Sequence, residues 1–73
     1  SMSPGEAAPG PTHEETDVEL LRRLVEGLTN REIAARLNME EEEVSRRMGQ
    51  VIARLGATSR NQAAAFALRE QVV

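Results

Sequence analysis

The strongest constraint on this chain is its punctuation, because helix-start and helix-stop signals recur too closely for long helices or a paired sheet. Thr12 with Glu15, Thr16 with Glu19, Thr29 with Glu32 and Ser59 with Gln62 each have the S/T-x-x-E/Q spacing of a capping box. Gly27 closes the first segment as a left-handed cap, Asn38 supplies the next turn, and Gly56 ends the third segment. Between these marks the apolar residues recur at spacings of three and four. They are Val18, Leu20, Leu21, Leu24 and Val25, then Ile33, Ala34 and Leu37, then Val44, Met48, Val51, Ile52 and Leu55, then Ala63, Ala64, Phe66, Ala67 and Leu68. The pattern predicts an all-α fold, a compact four-helix bundle. Its first helix opens within a turn of Thr12, the second covers about residues 30–37, the third runs from near Glu41 towards Gly56, and the fourth follows Ser59. A helix as short as the second cannot hold itself and must brace the longer one behind it. With a tight turn between them, the pair has the form of a helix-turn-helix.

Composition narrows the function classes. Seventy-three residues allow one small domain, too little for a two-layer α/β enzyme with a deep cleft. Phe66 is the sole aromatic, so the core must be built from Leu, Ile, Val, Met and Ala, which argues against a β-sandwich. Cysteine is absent and His13 is the only histidine, so no thiolate site, His cluster or Ser/His/Asp constellation can be assembled. No glycine-rich phosphate loop is present. The expectation is a protein without enzymatic activity, cofactor, metal or small-molecule ligand. No apolar run approaches the roughly 18 residues of a membrane span and no basic stretch is followed by an apolar one, so a soluble cytoplasmic protein with no membrane partner is expected. Residues 1–11 contain all three prolines and form a tail or linker, leaving residues 12–73 as the folded domain. Ser1 ahead of Met2 looks like a scar of proteolytic cleavage, so the natural protein either starts at Met2 or was cut from something longer.

The net charge of −3 hides an asymmetry. Residues 1–43 set four arginines against ten glutamates and Asp17, a balance of −7, whereas residues 44–73 set five arginines against Glu70, a balance of +4. Every cation is Arg, which suits fork-like phosphate recognition. On the third helix, turning Val44, Met48, Val51, Ile52 and Leu55 inward leaves Glu42, Ser45, Arg46, Gly49 and Gln50 on the outer face.

The stretch Glu26-Gly27-Leu28-Thr29-Asn30-Arg31-Glu32-Ile33-Ala34 resembles the E-G-L-[ST]-N-x-E-I-A signature of the LuxR-type (GerE-like) DNA-binding domain. The resemblance continues through Ala35-Arg36-Leu37, Val44, Val51, Arg54-Leu55-Gly56 and Ser59-Arg60-Asn61-Gln62-Ala63, over about residues 13–70. It implies a four-helix domain that binds double-stranded DNA sequence-specifically, with its third helix in the major groove, as the output domain of a bacterial transcription regulator. The sequence departs from the family at the start of the third helix. Typical members read S-E-x-T-V-K-x-H there, and this chain reads Glu40-Glu41-Glu42-Glu43-Val44-Ser45-Arg46-Arg47. His13 and Glu14 likewise replace the usual Leu and Thr at the start of the first helix.

Carried over residue by residue, the resemblance assigns base reading to Ser45, Arg46 and Gly49. Gln50 joins them from the outer face, and Arg46 is suited to a bidentate pair with guanine. Asn30 and Arg31 match the family's phosphate-contacting positions. Thr29 stands beside them at a helix N-terminus that favours anions, with a purely structural role as N-cap the alternative. Arg47 and Arg54 are candidate phosphate clamps on either side of the groove, or else salt-bridge partners for the acidic first half. Many members dimerise through the fourth helix, which here implies a weak homodimer through Ala63, Ala64, Ala67 and Leu68, extended by Val72 and Val73; the alternative is that these alanines fill the chain's own core. His13 is expected to be an exposed linker residue. A second class of function stays open, in which the domain is a diverged helix-turn-helix that docks a basic protein through Glu40–Glu43.

Overall fold

The computed structural model describes Gly10 and residues 12–73. Four helices follow in order: α1 (His13–Val25), α2 (Asn30–Leu37), α3 (Glu41–Arg54) and α4 (Arg60–Arg69). The tail expected over residues 1–11 lies, apart from Gly10, outside the described residues.

The starts of α1, α2 and α4 were written in the caps. Of the two overlapping boxes near the first helix, the earlier one forms: Thr12 Oγ1 accepts the Glu15 N–H at 3.1 Å, and Glu15 accepts the Thr12 N–H at 3.4 Å. Thr16 instead donates its hydroxyl to the Thr12 carbonyl at 3.0 Å. His13 is therefore the first residue of α1, not part of a linker. Thr29 and Glu32 complete the box at α2. At α4 only half of the expected box forms. Ser59 Oγ accepts the Gln62 N–H at 3.1 Å, but Gln62 Oε1 accepts from the N–H and hydroxyl of Thr58 in place of the Ser59 N–H.

The ends share one device. All four helices finish with a residue at positive φ: Gly27 at 88°, Asn38 at 54°, Gly56 at 72° and Gln71 at 54°. The amide after each of them reaches back to a carbonyl of the last turn, with Leu28 on Arg23, Met39 on Ala34, Ala57 on Ile52 and Val72 on Ala67 at 2.9–3.2 Å. This is the Schellman ending, which satisfies carbonyls that a helix end leaves free and reverses the chain within two residues. Asn38 makes the tight turn of the helix-turn-helix in this way.

α1 packs on α3 and α4, and α2 packs on α3. Leu20, Leu21 and Leu24 of α1, Ile33 and Ala34 of α2, Val44, Met48 and Val51 of α3, and Ala63 of α4 form one buried cluster. Leu28, Leu37, Met39, Ile52 and Leu55 close its edges. Leu20, Ile33, Val44 and Met48 are almost wholly buried, each such side chain contributing about 1.5–3 kcal/mol over an exposed one. Ile33 and Val44 come from the two helices of the helix-turn-helix, so this packing fixes the angle at which α3 is presented.

The apolar face of α4 divides. Ala63 and Ala67 are fully buried in the chain's own core, which removes both from any surface that a second copy could touch. Ala64 is half-buried, while Leu68 is 59% exposed and leads to the exposed Val72 and Val73. Among the described residues, no helix is long and apolar enough to cross a membrane.

Candidate nucleic-acid interface

The start of α2 is built by Thr29. Its Oγ1 accepts the Glu32 N–H at 3.1 Å, and the Glu32 carboxylate accepts the Thr29 N–H at 2.9 Å. These bonds to Thr29, main chain first, hold the Glu32 carboxyl below its ordinary value, and the charge of Arg36 adds to them. The structural role foreseen for Thr29 is thus realised. The N–H groups of Asn30 and Arg31 in the same first turn have no intrahelical partner by helix geometry, and they lie at the positive end of the helix dipole. The Arg31 side chain is exposed, with no ion-pair partner among the described residues.

Asn30 ties this turn to α3. Its Nδ2 donates to Ser45 Oγ at 3.2 Å, while its Oδ1 accepts from Arg60 Nη1 at 2.7 Å. Arg60, at the first position of α4, also donates from Nη2 to the Leu28 carbonyl at 3.2 Å. One guanidinium therefore fastens the loop before α2 and the Asn30 amide together. Because the amide nitrogen occupies a lone pair of Ser45 Oγ, the serine hydroxyl proton is free to be donated outward.

On α3, Ser45, Arg46, Gly49 and Gln50 are all exposed, as the turn of the helix requires. Arg46 is engaged with a carboxylate one turn back: Nη2 donates to Glu43 Oε1 at 2.5 Å and Nε to Glu43 Oε2 at 3.3 Å. The bond from Arg46 holds the Glu43 carboxyl below its ordinary value. A Cβ placed on Gly49 would meet nothing within 4 Å, so no neighbouring helix of this chain requires glycine there. Any close approach that it serves is to a body other than the described residues.

A helix-turn-helix with this signature can be compared with known families. The family model for bacterial regulatory proteins of the LuxR family (GerE) matches residues 15–67, which includes all of α2 and α3 and most of α1 and α4. The chain belongs to the LuxR family. It is a helix-turn-helix DNA-binding domain of the kind found in transcription regulators. No curated protein and no solved structure gives a significant match.

Two of the positions expected to hold phosphate in this LuxR-family domain pair with Asp17, and one of them is diverted by it. Arg47 is an internal strut: its side chain is only 13% exposed, and its Nη2 meets His13 Nδ1 at 3.1 Å, the His13 carbonyl at 3.3 Å and Asp17 Oδ1 at 3.4 Å. It pins the first turns of α1 to α3 and is not placed to clamp a phosphate. Arg54 also pairs with Asp17, but its own side chain is 62% exposed. Asp17 is thus a shared anchor for two cations of the third helix, which is the salt-bridge alternative left open by the sequence. Arg60 and Asp17 were missed as site-supporting residues, because each meets partners 30 or more positions away. The one sequence signal for Arg60 was its place beside Ser59 in the family motif.

The acidic run is not uniform either. Glu40 is the N-cap of α3 and makes no side-chain capping bond. Glu41 and Glu42 are exposed, whereas Glu43 is half-buried against Arg46.

Proposed function

We propose that residues 12–73 are the output domain of a bacterial transcription regulator and read duplex DNA sequence-specifically with α3 in the major groove. The observation that carries this reading is the Asn30–Ser45 hydrogen bond of 3.2 Å. It joins the anion-favouring start of α2 to the exposed polar face of α3, so phosphate contacts and base contacts fall on one continuous surface. Arg46 is the principal base reader, through a bidentate bond to guanine O6 and N7, and Gln50 has the donor and acceptor pair that suits adenine. Ser45 donates its hydroxyl, and Gly49 lets the helix sit close to the base edges. Thr29, Asn30 and Arg31 hold one phosphate strand, with Arg54 as a further clamp. Two copies associate through Ala64, Leu68, Val72 and Val73, which places their reading helices on half-sites about one turn of DNA apart.

The deciding experiment is affinity for mixed-sequence duplex DNA as a function of salt. The reading requires a steep negative log–log slope. Arg31→Ala should weaken all sequences alike and make the slope shallower by roughly one. Arg46→Ala should lose ~1–3 kcal/mol on the preferred site and little on random DNA. Absence of salt-sensitive binding, with capture of a basic protein that Glu40, Glu41 and Glu42 are needed to hold, would replace this reading with the docking one.

A further inference from the structure

Glu43 stands where LuxR-family members carry a small polar residue, and as part of an acidic run it looks adverse to DNA. The geometry gives this one carboxylate a second consequence. Two glutamates lie one turn back from Arg46, Glu42 at four residues and Glu43 at three, and Arg46 pairs with Glu43. The pair is two-pronged and uses a particular edge of the guanidinium, Nε with Nη2, at 3.3 and 2.5 Å. A guanidinium has five N–H groups in a rigid plane. Binding a carboxylate along the Nε–Nη2 edge consumes two of them and leaves the outer Nη1–Nη2 fork with one N–H from each nitrogen. That outer fork has the spacing to meet guanine O6 and N7 together.

We infer that Glu43 is a positioning residue for base recognition: it grips Arg46 by its inner edge and holds the outer fork in a plane pointing away from α3, ready for guanine. The inference rests on Arg46 being the base reader. Without the grip, a long arginine side chain at 55% exposure samples many rotamers, and binding a base must first select one. Glu43 is also half-buried, and its carboxylate is paired with the Arg46 guanidinium, so its charge is locally matched. Glu42 has no such partner among the described residues and is exposed. Two adjacent glutamates therefore have opposite consequences. Glu42 only adds repulsion towards phosphates, while Glu43 trades some affinity for selectivity.

The test compares Glu43→Gln, Glu42→Gln and Arg46→Ala with the unaltered domain on a randomised duplex library, followed by anisotropy titrations on the selected site and on mixed DNA. Circular dichroism confirms that each variant folds. Removing one negative charge should let both glutamate variants bind mixed DNA more tightly at low salt. Only Glu43→Gln should also flatten the guanine preference at the Arg46 position, by roughly two- to fivefold, the range expected for an exposed ion pair. Glu43→Asp should recover part of that preference. If Glu42→Gln and Glu43→Gln give the same preference profile while Arg46→Ala erases the guanine, Arg46 reads the base unaided and the positioning role is overturned. If Arg46→Ala leaves the profile intact, or no variant binds DNA at all, the base-reading assignment itself fails and takes this inference with it.

Discussion

Removing Arg60 tests how the candidate interface is held together. Its guanidinium makes two charge-assisted hydrogen bonds to groups more than two dozen residues away, the Asn30 amide oxygen at 2.7 Å and the Leu28 carbonyl at 3.2 Å, both part-buried. Hydrogen bonds to charged groups contribute about 1.5–3 kcal/mol each. Two of them, halved for partial access of water to the site, come to about 2 kcal/mol for Arg60→Ala. In a domain of this size each kcal/mol moves Tm by about 4–8 °C, so a fall of roughly 8–16 °C is expected. Lysine keeps the charge but not the fork, and Arg60→Lys should recover less than half of the loss. The chain has no Trp or Tyr, so unfolding is best followed by far-ultraviolet circular dichroism in urea and on heating. Arg36→Ala is the control, an exposed arginine whose replacement should stay within about 0.5 kcal/mol. Equal effects of the two substitutions would show that Arg60 holds nothing, and the account of Asn30 and Ser45 as an ordered pair would fall with it.

Other expectations follow from the same contacts. Asp17→Asn strips the charge that faces Arg47 and Arg54; with Arg47 only 13% exposed, the loss should lie between that of surface and buried pairs, about 1.5 kcal/mol by urea denaturation. Glu32 has its carboxyl lowered by the bonds to Thr29, so its contribution is complete above its unfolded value and is lost as pH falls through the lower folded one. Glu32→Gln keeps the box without titrating, and the acid-side loss of Tm below about pH 4.5 should become shallower. If two copies meet through the exposed end of α4, Leu68→Glu should abolish any rise of sedimenting mass with concentration and leave the monomer fold unchanged.

What could be read from the sequence was what is local. Caps at Thr12, Thr29 and Ser59 and the left-handed stops at Gly27, Asn38 and Gly56 act within five residues, and they placed the helices nearly to the residue. The stop at Gln71 was not legible, because glutamine carries no preference for positive φ. The outer face of α3 followed from helical periodicity alone. The salt-bridging of Arg47 was open only as an alternative, and its partner Asp17 and the role of Arg60 did not follow, since a contact spanning 30 or more residues leaves no spacing signal. On α4 the difficulty was contrast. Alanines at 63, 64, 65 and 67 surround the helix, and only packing against α1 shows that Ala63 and Ala67 are interior while Leu68 is not. Glu42 and Glu43 are both within reach of Arg46 along a helix, so sequence could not say which would take it.

The N-cap of α3 is where the departure from the family has its clearest physical cost. Glu40 has the extended backbone that an N-cap needs, φ −72° and ψ 142°, yet its side chain makes no capping bond. The first turn of α3 therefore lacks a bond from its N-cap side chain. Serine at this position, the residue usual in the family, would accept from an N–H in that turn and contribute about 1 kcal/mol. Against this stands the lost attraction between the Glu40 carboxylate and the helix dipole, ~0.3–1 kcal/mol and screened by salt. Three further glutamates, Glu41, Glu42 and Glu43, still complement the dipole after the change and gain relief from a like charge. The capping term should therefore win by a few tenths of a kcal/mol, raising Tm by a degree or more and by more at high salt, where the charge it replaces is worth least. DNA affinity should also rise at low salt, because one negative charge leaves the edge of the surface that approaches phosphate. The two gains have opposite salt dependence, so melting curves and anisotropy titrations at low and high salt separate them. If Glu40→Ser lowers Tm at both salt concentrations, the carboxylate is worth more to the helix than a cap. The acidic run would then be explained by stability alone.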